Sequence, residues 1–295
     1  MKVIQKEYLP FSEEELASHF HNPEHLKDYL KSAQDYNEFL QTKDPNKVFA
    51  IQDVKYKCQI EKDETIWTAS CFSTLCLRPS KKEDLKDLLI KAYGLKPPLK
   101  NFASWDDCLF PDFEVFFEVQ VPSSPSYKEY VKKSVVTSLI IKYVKDSAEG
   151  KDNLEGPTHV DAIIVNKSNG FSVLVEAKVL SDISYQVTYD EKRNQIIRNL
   201  DVMLEPNPEL QSPLHYRKPE NSLFLLLTPR KFQDSKTKSR LYSYKYDEYK
   251  NTPQKIQDEM PHRKKLDYIY LSQRIGWITW EDFRDISRDY CRWLQ

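Results

Sequence analysis

The segment between His159 and Val179 most constrains the fold, because it holds two apolar runs joined by a short polar turn. The runs "HVDAIIV" and "FSVLVEAKV" are rich in valine and isoleucine, and "NKSNG" between them supplies residues typical of turns. The pattern predicts a β-hairpin with largely buried strands. Three ionisable residues nevertheless interrupt these strands, namely Asp161, Glu176 and Lys178.

The geometry of a hairpin predicts that these three side chains converge. Glu176 and Lys178 are two residues apart, so they point to the same face of their strand, and Val175 and Val179 point to the other face. A turn at "NKSNG" folds the second strand back, so that Glu176 comes near Asp161. The alternative interpretation is a structural ion pair at the end of a strand, although such pairs usually face solvent.

Two buried carboxylates repel each other and are costly to desolvate, so burial alone does not explain the arrangement. A divalent cation does, because Mg²⁺ prefers oxygen ligands and commonly binds one or two carboxylates together with phosphate and water. We therefore predict a Mg²⁺ site formed by Asp161 and Glu176, in which Mn²⁺ can substitute. Lys178 could orient the attacking water or offset charge on a phosphate, which suits phosphodiester hydrolysis.

Asp161 and the sequence "EAK" ending at Lys178 resemble the motif of the PD-(D/E)xK nuclease superfamily, which has the restriction-endonuclease-like fold. The element order predicted after residue 126 is similar to the order in that superfamily: helix, strand, strand, helix, strand, strand, helix. The resemblance implies an α/β fold with a mixed central sheet flanked by helices, and Mg²⁺-dependent cleavage of DNA. It implies metal ligands at Asp161 and Glu176 and a catalytic lysine at Lys178. One position departs from the motif, since Val160 stands where it has proline.

The resemblance also implies two supporting residues. Many members place a polar residue on the helix after the lysine strand, and "NQIIRNLD" offers Gln195, with Arg198 near the same helical face. Many also carry a glutamate on the helix before the hairpin, where Glu129 is the candidate. The alternative for Glu129 is a solvated position, because lysines such as Lys132 and Lys133 surround it.

Basic residues are the candidates for contacting a nucleic acid backbone, because lysine and arginine neutralise phosphates and release counterions. They are Lys132 and Lys133 on the predicted helix, Arg198, and Arg230 and Lys231 in the basic loop "TPRKFQDSKTKSR". The segment "HRKK" and the tyrosines of "LYSYKYDEY" accompany that loop. A solvated charged loop is the alternative at each position.

Proline and serine in "VPSSPS" predict a boundary near residue 125. Residues 1–125 carry the acidic excess and residues 126–295 the basic excess of a chain whose net charge is −1. We therefore predict an α+β N-terminal region over 1–125, whose role is open and could include target recognition. The nuclease domain is predicted over 126–295.

Secondary structure in the N-terminal region is predicted from local patterns. Helices are expected in "FSEEEL", after Asn22-Pro23, and in "SKKEDLKDLLIKAYGL". Strands are expected in "VFAIQDVKYKCQI", "TIWTASCFSTLCL" and "PDFEVFFEVQV".

Several classes of protein are disfavoured by composition. Only 5 glycines occur and none forms a phosphate-cradling loop, which argues against a P-loop or a dinucleotide-binding protein. No apolar run approaches the roughly 20 residues of a membrane helix, and the N-terminus lacks the pattern of a secretory signal. The 5 cysteines contain no CxxC pair, which favours free thiols in a reducing compartment. A cytoplasmic location with no membrane partner is the prediction.

Two functions remain open. The first is a Mg²⁺-dependent endonuclease acting on DNA, with a role in restriction or genome defence; RNA is not excluded, and double-strand cutting would favour a homodimer. The second is a catalytically inactive nuclease-fold module that binds nucleic acid or a protein partner. The complete set of Asp161, Glu176 and Lys178 favours the first.

Overall fold

The protein is built on one five-stranded mixed β-sheet, seen in a computed structural model that describes residues 13–20, 22–42, 63–138, 155–184, 193–234 and 240–286. The strands lie side by side in chain order. The second strand runs antiparallel to the first and to the third, whereas the third, fourth and fifth strands run parallel to one another. They are β1 (Glu114–Val121), β2 (Thr158–Val165), β3 (Ser172–Ala177), β4 (Ser222–Thr228) and β5 (Ile275–Thr279).

Helices surround this sheet. Before β1 lie α1 (Glu13–Ala17), α2 (Pro23–Thr42), α3 (Glu64–Cys76), α4 (Lys81–Tyr93) and α5 (Trp105–Leu109). Between β1 and β4 lie α6 (Pro125–Ser138) and α7 (Gln195–Met203). After β4 come α8 (Arg230–Gln233), α9 (Leu241–Asn251), α10 (Gln254–Glu259), α11 (Tyr268–Gln273) and α12 (Trp280–Ile286).

The predicted hairpin is confirmed as β2 and β3, with Ala162 opposite Val175. Its turn is closed by Asn166, whose backbone N–H donates to the carbonyl of Phe171 at 2.8 Å. Gly170 in the turn has φ of 76°, and an added Cβ would lie 2.9 Å from the backbone oxygen of Tyr216. Only glycine fits this position without strain.

Alternate residues of β3 pack into two cores on opposite faces of the sheet. Val173 and Val175 join a cluster that includes Phe72 of α3 and Leu88 of α4. Leu174 points the other way, into a cluster built from helices α7 and α9. Every residue of β4 is buried, as expected for a central strand covered on both faces.

One predicted strand is wrong: "TIWTASCFSTLCL" forms helix α3 instead. Asp63 caps this helix, because its carboxylate accepts a hydrogen bond from the N–H of Ile66 at 3.1 Å. The helix is buried on nearly all sides, so its sequence lacks the one-sided apolar stripe of a surface helix, and its threonines and aromatic residues resemble a strand. The other predicted strand, "VFAIQDVKYKCQI", lies outside the described residues.

The remaining N-terminal predictions fit the structure, since "SKKEDLKDLLIKAYGL" contains α4 and "PDFEVFFEVQV" contains β1. The boundary predicted near residue 125, however, lies between two paired strands of the sheet. β1 is hydrogen-bonded to β2 along its length, and α3 packs against both strands. Residues on either side of the boundary therefore share one sheet and one apolar core.

Within the described ranges, no helix combines the length and the apolar character required to cross a bilayer. Within those ranges Cys76 and Cys108 are free thiols, as the sequence predicts, whereas Cys58 and Cys291 lie outside the ranges.

Candidate active site

The structure brings Asp161, Glu176 and Lys178 together at one end of the hairpin. Nζ of Lys178 lies 2.6 Å from Oε1 of Glu176, so the two side chains share a face as the strand spacing predicts. The N–H of Ala177 donates to Oδ2 of Asp161 at 2.6 Å. Asp161 is the residue just beyond the last hydrogen-bonded pair of β2 and β3, so its carboxylate meets the strand that carries Glu176.

The electrostatics of this cluster are dominated by burial. Burial raises the pKa of Asp161 well above its usual range, and the charge of Glu176 raises it further. Burial also raises the pKa of Glu176, against the opposing effect of the Lys178 ammonium. Burial by itself would lower the pKa of Lys178, but the charges of Glu176, Asp161 and Glu64 outweigh it and raise that pKa. One ammonium thus faces three carboxyl groups.

Glu64 is a member of the cluster that the sequence pattern did not predict. Its Oε2 lies 3.2 Å from Nζ of Lys178, and its Oε1 accepts hydrogen bonds from the N–H of Val179 at 3.2 Å and from the hydroxyl of Ser181. It is the first residue of α3, where the helix dipole favours a carboxylate. The Asp63-Glu64 pair before an apolar run is a helix-start signal that could have revealed it.

Asn199 of α7 is the second unpredicted member. Its Nδ2 donates to Oε2 of Glu176 at 2.8 Å, and both side chains are fully buried. Gln195, the polar residue predicted on this helix, lies one turn earlier. Its Oε1 accepts a hydrogen bond from the N–H of Ser184, in the segment that follows β3, at 3.2 Å. The spacing of four residues from Gln195 was the available signal, because it places Asn199 on the same helical face.

A further acid, Glu118 of β1, lies close to Asp161 and contributes to the raised pKa of that carboxyl. Glu118 has φ of 50°, and the β1–β2 register skips it while pairing its neighbours on both sides. The hydroxyl of Thr65 on α3 donates to Oε1 of Glu118 at 2.6 Å. A cavity of about 130 Å³ opens at this point, and its polar lining includes Glu118, Thr65, Asp63, Asp28 and His25.

Glu129, the predicted supporting acid, is exposed on α6 and lies 2.7 Å from Nζ of Lys133. This is the solvated alternative considered for it from sequence. The helix carboxylate that does contact Lys178 belongs to Glu64, on a helix whose sequence predicted a strand. Lys132 is exposed next to Lys133 on the same helix as Glu129.

Both arginines predicted to bind phosphate form ion pairs within the protein. Nε of Arg198 lies 2.9 Å from Oε1 of Glu155. Nη2 of Arg230 lies 3.0 Å from Oδ1 of Asp282. Lys231 is exposed, with its Nζ 4.8 Å from the centre of the Phe232 ring. Within the segment predicted as a basic loop, Thr228 ends β4 and Arg230–Gln233 form α8. The tyrosine-rich stretch that accompanies it forms α9.

His262 and Arg263 of "HRKK" point into the protein instead of toward solvent. His262 Nε2 is 2.9 Å from Oδ1 of the buried Asp201, and Arg193 Nη2 is 2.9 Å from its Oδ2. Burial would raise the pKa of Asp201, but the hydrogen bond with His262 and the charges of Arg193 and Arg263 lower it to about 2. This network anchors α7, the helix that carries Asn199.

Asp161 and Glu176 carry the carboxylate oxygens that a hard divalent cation prefers. In the part of the chain that the structure describes, the acids of the cluster outnumber the one ammonium, that of Lys178. Among the described residues, no group of three or more His, Cys, Asp or Glu side chains has the geometry to hold a metal ion. Asp161 and Glu176 would therefore act as a pair, with phosphate and water completing the shell.

No family model matches the chain, and no curated protein or solved structure gives a significant match. What the fold and the site define is an α/β protein with a buried carboxylate–lysine cluster at the end of a hairpin.

Proposed function

We propose that the chain is a metal-dependent endonuclease that hydrolyses phosphodiester bonds of DNA, with a site of the PD-(D/E)xK type. The observation that carries the proposal is the convergence of Asp161, Glu176 and Lys178 at the end of one buried hairpin. The order of a hairpin, the helix α7 and a further strand is similar to the order in that superfamily.

Each residue of the cluster has a distinct role in this proposal. Asp161 and Glu176 would hold Mg²⁺, or Mn²⁺ in its place. Bound there, the ion would polarise the scissile phosphate and lower the pKa of the attacking water. The ammonium of Lys178 would orient that water or offset charge that builds on the phosphate. Asn199 holds one oxygen of Glu176, which leaves the other oxygen directed at the site.

The acid surplus supports metal-assisted chemistry. Two buried carboxyl groups with raised pKa values, next to one ammonium, favour the binding of an additional positive charge. Exposed lysines such as Lys132 and Lys133 could contact the nucleic acid backbone, since the ion pair of Lys133 with Glu129 is solvent-exposed and such pairs are weak. A role in restriction or genome defence, a cytoplasmic location and a homodimer remain parts of the proposal.

A second candidate function is an inactive module of the same fold that binds nucleic acid or a protein. One observation favours it: Lys178 lies between Glu176 and Glu64, as the ammonium of a purely structural ion-pair network would. In such a module the ammonium of Lys178 would compensate the charge of the buried acids.

Plasmid cleavage separates the two candidates. The full chain is incubated with supercoiled plasmid in MgCl₂ or EDTA, alongside Glu176→Gln and Lys178→Met. Glu83→Gln is the matched control, because Glu83 is an exposed acid of α4. We expect cutting only with the metal, and a loss of at least about 100-fold in both site variants, the scale of losing one group that stabilises the transition state.

Cutting that persists in either site variant would argue against the proposal. Absence of cutting, together with a gel shift that EDTA does not weaken, would favour the inactive module. A single-stranded RNA substrate in the same assay decides between DNA and RNA.

A further inference from the structure

The ammonium of Lys178 lies between two carboxylates that belong to different elements. Nζ is 2.6 Å from Oε1 of Glu176 on β3 and 3.2 Å from Oε2 of Glu64 on α3. Lys178 is 5% exposed, so water screens these contacts weakly. The lysine therefore already touches the oxygen of Glu176 that Asn199 leaves unoccupied.

Glu64 is fixed in place from both sides. Its Oε1 accepts the N–H of Val179 and the hydroxyl of Ser181, and the start of α3 holds its backbone. Its Oε2 faces Lys178. Glu64 thus connects the start of α3 to the segment that follows β3, and its Oε2 accepts a hydrogen bond from the Lys178 ammonium.

The main chain of Lys178 is also fixed. Its N–H donates to the carbonyl of Leu227 at 2.8 Å, and its carbonyl accepts from Nε1 of Trp280 at 2.9 Å. The side chain is a flexible four-carbon stem with a rotatable ammonium. A shift of Nζ from Glu176 toward Glu64 is therefore a local change of side-chain torsions that needs no movement of the strand.

We propose that Lys178 competes with the metal for Glu176, and that Glu64 is the positioning residue that receives the ammonium when a cation enters. The inference rests on the proposed metal site. A divalent ion bound at Oε1 of Glu176 would repel an ammonium at hydrogen-bond distance from the same oxygen. The Glu64 carboxylate provides a second partner 3.2 Å away, so the lysine stays charged and close to the substrate.

This role differs from that of a metal ligand, and the two make opposite predictions in a double-mutant cycle. A positioning residue acts through Lys178, so its substitution has little effect on metal affinity once the lysine is gone. A ligand contributes to affinity whether or not the lysine is present.

The test is a calorimetric titration of the full chain with MnCl₂, for the wild type, Lys178→Met, Glu64→Gln and the double variant. We expect Lys178→Met to bind Mn²⁺ at least tenfold more tightly than the wild type. We expect Glu64→Gln to weaken binding about fivefold with the lysine present and less than about twofold without it. Glutamine at 64 keeps an oxygen for Val179 and Ser181. Lys178→Gln replaces Lys178→Met if that variant does not fold.

Equal or weaker Mn²⁺ binding by Lys178→Met would overturn the inference, as would an equal effect of Glu64→Gln in both backgrounds. Absence of Mn²⁺ binding in all four proteins would overturn it as well. Plasmid cleavage by the wild type is measured in parallel. If the wild type cleaves plasmid but the variants lack the expected changes in Mn²⁺ affinity, only this inference is wrong. If the affinity changes occur but the wild type does not cleave plasmid, only the proposed nuclease activity is wrong.

Discussion

Nδ2 of Asn199 donates a hydrogen bond to Oε2 of Glu176 at 2.8 Å, and neither side chain is exposed to solvent. The contact joins α7 to β3, the strand that carries Glu176 and that Lys178 directly follows. Glu176 thus has a neutral donor on one oxygen and an ammonium on the other.

Replacement of Asn199 by leucine should therefore destabilise the protein. The substitution leaves a buried carboxylate oxygen without its donor, which costs about 1–3 kcal/mol. Urea unfolding followed by circular dichroism measures the free energy of unfolding. The control is Gln254→Ala, at an exposed position of α10, which should change that free energy by less than about 0.5 kcal/mol. A similar small effect for Asn199→Leu would show that the hydrogen bond contributes little.

The raised pKa of Asp161 predicts that Asp161→Asn stabilises the protein while it abolishes metal-dependent cutting. The folded chain holds a proton on this carboxyl more tightly than the unfolded chain does, so the fold loses stability as the pH rises from the unfolded-state pKa toward the folded-state pKa. Asparagine removes this charge and can still accept from the N–H of Ala177. We expect a gain of about 1 kcal/mol near pH 8, typical of substitutions that relieve a functional site.

That gain should shrink as the pH falls toward the unfolded-state pKa of 3.8, because protonation removes the unfavourable buried charge from the wild-type carboxyl. Urea unfolding near pH 5 and pH 8 tests the trend. Asp106→Asn, at an exposed surface ion pair with Lys86, is the control and should show no such dependence. A loss of stability for Asp161→Asn near pH 8 contradicts the expectation.

The lowered pKa of Asp201 predicts the opposite dependence of protein stability on pH. The hydrogen bond with His262 and the charges of Arg193 and Arg263 overcome burial and lower its pKa to about 2, from the ordinary value of 3.8. The stabilisation is therefore complete above the unfolded-state pKa and is lost as the pH falls from about 4 to about 2. The shift corresponds to roughly 2 kcal/mol.

Asp201→Asn should remove this acid-dependent part of the stability. It should also destabilise the fold by about 3–5 kcal/mol at neutral pH, since it leaves the buried Arg193 with Glu155 as its remaining ion-pair partner. Urea unfolding across the acid range measures both effects. An unchanged acid slope in Asp201→Asn would assign the dependence to other carboxyl groups.

The exposed lysines of α6 should govern the salt dependence of DNA binding. Replacing Lys132 and Lys133 by glutamine should weaken binding and flatten the plot of log affinity against log salt by about 1 for each phosphate that is no longer neutralised. Arg230→Gln is the comparison, because that arginine is ion-paired with Asp282 and should change the slope less. Fluorescence anisotropy with a labelled duplex in EDTA measures binding without cleavage. A larger change of the salt slope for Arg230→Gln than for the lysine variants would indicate that DNA binds near Arg230 and not on α6.

The part of the site that is local in sequence was predictable. The two-residue period of a strand places Glu176 and Lys178 on one face, and the hairpin turn brings Asp161 next to them. Asn199 could also have been predicted from local spacing, because it lies one helical turn after Gln195.

Glu64 was beyond that reasoning for a physical reason. It contacts Lys178, 114 residues away in the chain, through the packing of a helix that is buried on nearly all sides. Such a helix carries no amphipathic period, so neither its type nor its partner follows from the local pattern. The inward orientation of His262 and Arg263 is equally non-local, since it depends on the buried carboxylate of Asp201.

The pairing of β1 with β2 has a consequence for any attempt to divide the chain at residue 125. A fragment that begins there would leave the backbone groups of β2 that face β1 without partners, along a strand rich in valine and isoleucine. Such an unpaired edge is a template for the strands of other molecules, so the shortened polypeptide would tend to self-associate. Residues 114–121 therefore also protect the edge of the hairpin from pairing with strands of other molecules. A fragment that contains the hairpin needs these residues to stay free of aggregates.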